Sequence, residues 1–516
     1  MASTAFKPFK WLYAETGFSS VLSTGKDAWL VILSRSLRMF AFGFNALIMG
    51  LFFQELGYSD DAMGLFFTLT LLGDVLLSLF LTLVADQIGR RKILFGGSIL
   101  MVLSGATFAW SDNYWILLVA AVLGVISPSG NEIGPFRAVE ESILAGLTVP
   151  GTRTEVVTWY VVTATVGTST GLVVCGNLVD WAMKDGGTES RGWTGRETYH
   201  FCFWIYSTVG VVNMVLALLL SNKCEVDGGE RTRHPATEQD AFLGDESDEE
   251  AGISPAELRK SEKSPQKKSK FAQISPESRP ILYKLCAIMS LDSFSSGMAA
   301  YSLINLYMDR KFSLPKGQLG DIMSITWFTA AFMNMFASAL SRRIGLIKTM
   351  VFTHLPSAVF LALLPLPKTL TPTIGLLLAR ASLNSMDQAP RTAFIAAVVR
   401  PEERTAVMGI VNVGKILAQS GGPSLTGWLA SRDLFGLAFV TAGVLKGCYD
   451  LGLLGMFVGM KLHRHERTGE REAEGYRAVD TEEQEEEEGE EEEEDPKSGD
   501  RKNHRRSDSY PLKETK

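Results

Sequence analysis

Histidine and cysteine are scarce, at six and five in 516 residues. The histidines are His200, His234, His354, His463, His465 and His504, and none falls with Cys, Asp or Glu at a metal-ligand spacing. No metal site is therefore expected, and no cofactor. The cysteines (Cys175, Cys202, Cys224, Cys286 and Cys448) are scattered, four of them in apolar segments, which argues against a disulfide framework. No Gly-x-x-x-x-Gly-Lys-Ser/Thr loop occurs, so ATP drive is not expected. There is no Asn-x-Ser/Thr sequon, and "MASTAFKPFKWLYAETGF" lacks the apolar core of a signal peptide. The basic stretches "KKSK" and "RKNHRR" are short and lie beside acidic segments, so nucleic acid is not an expected partner. No nucleophile or acid–base set stands out that would make the chain an enzyme.

What the chain does have is apolarity, segregated from its charge. It is 46% hydrophobic and 21% charged. Runs such as "FCFWIYSTVGVVNMVLALLL" alternate with short polar connectors. About 20 apolar residues match about 30 Å of hydrocarbon, so the runs read as membrane spans and the lipid bilayer as the first partner. Twelve are expected. Six start near Trp29, Ala62, Ile93, Tyr114, Val156 and Phe201, and six near Leu285, Leu319, Met350, Pro372, Ala406 and Leu434. This gives an all-α integral membrane protein with a segment 1–28, a six-helix bundle 29–222, a central loop 223–280, a second bundle 281–460 and a tail 461–516. The tail run "EEQEEEEGEEEEED" repels itself, and loop and tail are both expected to be disordered. "GRRK" after span two, "SRRIGLIK" after span eight and the basic central loop share one side. The positive-inside rule makes that side, and both termini, cytosolic. The connectors around Lys184 to Arg196 and Arg310 to Lys316 run against it. Plasma membrane and vacuole or another endomembrane are equally compatible with the sequence.

The two halves repeat. Pro150, Arg153 and Thr154 of "VPGTRTEVV" answer Pro401, Arg404 and Thr405 of "RPEERTAVM", and the register holds to Gly171 against Gly422. Gly64 and Gly89 likewise answer Gly320 and Gly345. Such repeats mark transporters built from two related halves. The first half is five residues longer between Gly89 and Pro150, and "SPSGN" beside Gly134-Pro135 is a natural place for a local unwinding of span four.

"TLVADQIGRRKIL", from Thr82 to Leu94, follows span two. It resembles the signature loop of the major facilitator superfamily, with Ala85, Asp86, Gly89, Arg90, Arg91 and Leu94 in place. Thr82, Val84 and Gln87 depart from the pattern. The resemblance extends over roughly Trp29 to Met460, excluding the central loop. It implies a monomer that moves a small organic solute by alternating access, and a loop that latches the cytosolic side through Asp86, Gly89, Arg90 and Arg91. The alternative is that "GRRK" only enforces topology. Asp86 is placed to meet a helix N-terminus, and Glu140 or Glu141 to receive Arg90. Within the superfamily, "GLVVCG" keeps the outer glycines of the antiporter motif but has Leu172 and Cys175 inside it. Sugar-porter signature residues do not follow span six. The reading leans to proton-coupled efflux. Uptake of an organic anion or nutrient is one alternative. A non-transporting sensor is another, its three Ser-Pro steps in the central loop open to a kinase.

Ionisable groups at membrane depth are costly and mark pathways. The first, fourth, seventh and tenth spans, which the resemblance places around the cavity, carry Arg35, Arg38, Glu132, Asp292, Arg380, Asp387 and Arg391. The repeat aligns Arg38 with Asp292, suggesting a gated pair. Asp74 lies roughly 18 Å from Asp86 and Lys415 roughly 15 Å from Thr405, a similar depth on spans two and eleven. Asp74, Glu132 and Asp292 are the candidate proton carriers, with static neutralising pairs as the alternative for each. Lys446 and Asp450, one turn apart, are expected to pair with each other. His354 is expected to be a helix-packing residue.

Overall fold

Each long apolar run becomes a helix, and local chemistry sets its ends. The described helices are α1 (Lys26–Glu55), α2 (Asp60–Ile88), α3 (Arg90–Trp110), α4 (Tyr114–Leu123), α5 (Pro135–Leu147), α6 (Pro150–Asp185), α7 (Gly195–Leu219), α8 (Arg279–Met298) and α9 (Tyr301–Phe312). Then come α10 (Lys316–Asn334), α11 (Ala337–Ile344), α12 (Leu346–Leu363), α13 (Leu370–Asn384), α14 (Gln388–Val398), α15 (Arg404–Ala430) and α16 (Phe435–Phe457). The computed structural model describes residues 21, 23–124, 126, 135–148, 150–185, 192–225, 275, 278–334, 336–399 and 403–457, all within one compact unit. The α1–α2 turn closes at Gly57, φ 77°. Asn113 caps α4 by accepting from the Trp115 and Ile116 amides. Thr194 and Glu197 form a reciprocal capping box on α7.

The helices make the expected twelve spans. Eight are single helices, and four are joined pairs: α4–α5, α8–α9, α10–α11 and α13–α14. By length and composition, six described helices can cross a membrane: α1, α3, most of α6, α7, α12 and α16. Large apolar side chains such as Leu103, Trp110, Leu218, Phe328, Phe352 and Leu451 stand exposed, as lipid-facing surfaces require. Span four is described in two pieces: α4 ends at Leu123, with Gly124 in a turn, and α5 covers Pro135–Leu147. Residues 127–134, Glu132 among them, lie outside the described residues.

The repeat is visible in the packing. A Cβ built on Gly43 of α1 would meet the backbone of α6 at Thr168 and Gly171, and one on Gly297 of α8 would meet α15 at Gln419 and Gly422. These are equivalent contacts within each half. Between halves, Gly64 of α2 presses on the Pro423 carbonyl and Gly427 of α15, while Gly320 of α10 presses on the Leu172 carbonyl and Gly176 of α6. Each pair follows the sequence register of the repeat. Small residues at such crossings let helix backbones approach where lipid gives no hydrophobic drive.

Candidate transport site

In the second half, Asp292, His354, Asp387, Arg391, Lys446 and Asp450 gather into one buried cluster. Lys446 and Asp450 share a face of α16, as an i, i+4 pair must. They do not pair with each other, because α8 and α12 offer each a better partner. Lys446 Nζ donates to Asp292 Oδ1 and to Ser296 Oγ, both at 2.8 Å. The Asp450 carboxylate lies 3.0 Å from His354 Nδ1 through both oxygens. Arg391 Nη1 donates to Asp292 Oδ2 at 2.8 Å, and its Nη2 to Asp387, one turn back. His354 thus sits inside the cluster and is more than a packing residue: its Nε2 is 3.5 Å from Asp292 Oδ1 and 3.4 Å from Lys446 Nζ. Tyr449 lines the same space, its ring 5.3 Å from the Arg391 guanidinium and 5.4 Å from the imidazole.

The first half has a separate pair. Arg38 of α1 forks onto Glu140 of α5 with two bonds of 2.7 Å, and the Tyr160 hydroxyl donates to the same carboxylate at 2.9 Å. Glu140 is fully buried. The expected Arg38–Asp292 pair is therefore not what the structure shows, since each finds its counter-charge within its own half. Arg35 stacks over the Tyr160 ring at 4.0 Å. Asp74 is buried on α2, which packs antiparallel to α15, with Thr68 and Ser424 hydroxyls 2.7 Å apart. From that contact Asp74 lies roughly 9 Å along one helix and Lys415 roughly 14 Å along the other.

At the signature loop Gly89 takes φ 104°, open to glycine, and α3 begins behind it. The cap there is Glu225, which follows span six: its carboxylate accepts from the Arg90 and Arg91 amides at 2.8 and 3.2 Å. A carboxylate at a helix N-terminus meets both unsatisfied donors and the dipole. Arg90 reaches the Ser142 carbonyl at 3.4 Å and Arg91 reaches Asn222. Neither glutamate of α5 receives Arg90, because Glu140 turns inward to Arg38 and Glu141 is held by Arg137 at 2.8 Å. Asp86 lies in α2, with its side chain outside the described residues.

Arg380 on α13 differs from Arg38 and Arg391. It is 6% exposed, and among the described residues its guanidinium meets no carboxylate. Its Nε, the indole Nε1 of Trp327 and the amide oxygens of Asn334 and Asn384 are buried without hydrogen-bond partners among the described residues. These belong to α10 and α13, which pack together. The Tyr301 ring lies 4.9 Å from Trp327, and Trp327 in turn meets Phe42 of the other half at 6.4 Å. The sequence offers Arg391 a carboxylate one turn back in Asp387 and offers Arg380 none at that spacing, but Asp292 comes from another helix and no spacing points to it.

Two six-span halves, close-packed at glycine crossings and carrying buried charge, define a transporter-type membrane protein. The chain belongs to the Major Facilitator Superfamily, whose model matches residues 31–275 and 285–498. It is 33% identical over 437 residues to an uncharacterized membrane protein of Saccharomyces cerevisiae, covering 84% of this chain and 95% of the relative. Its fold is similar to that of the nucleoside transporter NupG, with TM-score 0.59 at 12% identity, covering 85% of this chain and all of that one. A D-xylose–proton symporter gives TM-score 0.60 at 13% identity, covering 83% and 97%. A bacterial homologue of the human lysosomal transporter Spinster, inward-facing, gives 0.54 at 16%, covering 83% and 94%. The fold is that of transport by alternating access in a multi-pass membrane protein.

Proposed function

We propose that the protein is a proton-coupled secondary transporter of a small organic solute bearing an anionic group, with the signature-loop end facing the cytosol. The observation that carries this reading is Arg380. A buried guanidinium without a carboxylate is costly unless something else supplies the negative charge. Arg391 and Arg38 have their counter-ions in the protein, and Arg380 does not among the described residues. The donor Nε1 of Trp327 and the half-buried rings of Tyr301 and Phe42 add a flat, apolar and hydrogen-bonding wall. This favours the organic-anion alternative over an unspecified efflux substrate. The Asp74–Lys415 pairing stays part of the proposal, supported by the burial of Asp74 and the antiparallel packing of α2 and α15.

The test is a panel of labelled organic solutes, with and without carboxylate or phosphate groups, in proteoliposomes holding an imposed pH gradient. Gradient-driven movement of anionic members is expected, and its direction reads uptake or efflux. Arg380→Gln should weaken anion affinity on the order of 30-fold, equivalent to about 2 kcal/mol for leaving one partner of a buried charge pair unmatched. Preferred movement of neutral solutes, unaffected by Arg380→Gln, would overturn the anionic reading. No gradient-driven movement of any solute would instead favour the sensor alternative.

A further inference from the structure

We propose that His354, held between Asp450 and Asp292, is a proton-binding site whose loading loosens the tie between α8 and α14. The inference rests on the proton-coupled reading above and deepens it by naming a site away from the three carboxylates singled out in the sequence as candidate carriers, Asp292 excepted.

The argument begins with charge. The cluster holds three carboxylates: Asp292 of α8 and Asp450 of α16 stand against His354, and Asp387, just before α14, stands against Arg391. Two permanent cations face them, Lys446 of α16 and Arg391 of α14. Among the described residues, α13 contributes the Arg380 carbonyl, which accepts from Ser357, and the Arg343 side chain of α11 is exposed. With a neutral imidazole the cluster is one negative charge in excess, and one added proton brings it to balance. In a buried site an unbalanced charge is expensive, so this group of residues has a built-in demand for a proton.

Geometry says where that proton goes. His354 is 1% exposed and its Nδ1 is 3.0 Å from the Asp450 carboxylate, so a neutral ring donates Nδ1–H there and leaves Nε2 bare. Nε2 faces Lys446 Nζ at 3.4 Å, a donor, and Asp292 Oδ1 at 3.5 Å, an acceptor. A proton arriving at Nε2 makes the ring an imidazolium bridging the two aspartates. It also sets Nε2–H against the Lys446 ammonium and makes it a third claimant on Asp292. Asp292 is what ties α8 to α14 through Arg391, at 2.8 Å. No covalent bond other than Nε2–H forms or breaks; the hydrogen bond from Lys446 to Nε2 is lost, and Asp292 is drawn from Arg391. Because α14 continues from α13, which carries Arg380, a proton held between outer helices α12 and α16 reaches the proposed anion site through a helix of the cavity.

The test needs no solute. Proton uptake by the purified full-length protein in detergent is measured on acidification from roughly pH 8 to roughly pH 5, in wild type, His354→Gln and Asp450→Asn. His354→Gln should take up about one proton fewer than wild type. Amide exchange of the α14 segment, corrected for intrinsic rate, should rise on acidification in wild type and stay flat in His354→Gln. Asp450→Asn serves as the second variant: it brings the cluster to balance with a neutral ring, so its α14 exchange should also be insensitive to pH. Equal proton uptake in wild type and His354→Gln, or α14 exchange in wild type that ignores pH, overturns the proposal. The proposal can fail alone, if wild-type transport follows the pH gradient and His354→Gln transports identically. The coupling reading can also fail alone, if His354 takes its proton and α14 responds while no solute follows a gradient.

Discussion

Arg38 and Glu140 show how a membrane bundle holds a full charge in its interior. Each of the two parallel bonds is 2.7 Å long, and the Tyr160 hydroxyl serves the same carboxylate. Breaking such a pair from one side strands a buried charge, which costs about 3–5 kcal/mol, while replacing both partners with apolar groups is often neutral. Arg38→Met is therefore expected to lower the thermal unfolding midpoint in detergent sharply, and Arg38→Met with Glu140→Met to recover most of the loss. A double variant as unstable as the single one would mean that Arg38 matters through other contacts. Cys224 offers a second residue-scale check, just beyond span six. Burial, with the neighbouring Asp27 adding to it and Arg91 opposing, pushes its thiol up to about 11. Only the thiolate reacts. Labelling by a water-soluble maleimide should be slow at neutral pH and should climb with pH until the thiol titrates. Glu225→Ala, which removes the cap from α3, should speed it by opening the loop beside Cys224. Labelling at neutral pH as fast as that of a free thiol would show the site to be open already.

Helices in this protein meet through their smallest residues, and the consequences fall on whole elements. A side chain at Gly320 would strike the Leu172 carbonyl of α6, and one at Gly64 the Pro423 carbonyl of α15, at 2.6 Å. Overpacking a tight contact costs about 1–3 kcal/mol. Gly64→Leu and Gly320→Leu should each lower the unfolding midpoint by similar amounts, because the repeat makes their surroundings equivalent. Gly375 has open space at its Cβ position and should tolerate leucine with little change in the same assay. The register that pairs Gly64 with Gly320 was legible in the sequence, whereas the helices these glycines meet emerged only from the packing. The twelve spans were legible, since hydrocarbon thickness fixes run length. The partners of buried charges were not. Lys446 and Asp450 satisfy the i, i+4 rule, yet each is drawn off by a neighbouring helix whose rotation no spacing encodes. His354 reads as an isolated polar residue until α8, α12 and α16 are assembled. Glu225 lies far along the chain from the loop that it caps, and nothing in its immediate context points to Arg90.

Alternating access asks the two halves to separate first at one end and then at the other, so the contacts joining them at either end set the balance between states. At the end opposite the signature loop Arg310 forks onto Asp60 at 2.8 and 2.6 Å and takes Gln54 at 3.0 Å. Beside it the Lys316 and Gly317 amides, opening α10, donate to the Asp180 carboxylate of α6 at 2.8 and 2.9 Å. Asn305 donates to the Ala46 carbonyl of α1 at 2.6 Å. All of these bridge the halves and must part for that end to open. The Arg310–Asp60 pair is partly exposed, at 31% and 15% of its side chains, so its worth is discounted to at most about 1 kcal/mol. Losing that much shifts a two-state population by up to about fivefold. The readout is a cysteine at Ser302, a buried α9 position whose carbonyl packs on Gly50 of α1. Adding Asp60→Asn to Ser302→Cys should raise maleimide labelling from that end by a few-fold, while Asp60→Arg with Arg310→Asp should return it toward the starting rate. If labelling does not change in Asp60→Asn, the pair does not gate that end and the amide–Asp180 contacts carry the closure instead. Arg380 and the His354 cluster then act on a barrier set mainly by those backbone bonds. A solute or a proton would have to supply enough differential binding to part them, on the order of 5 kcal/mol for a near-complete switch.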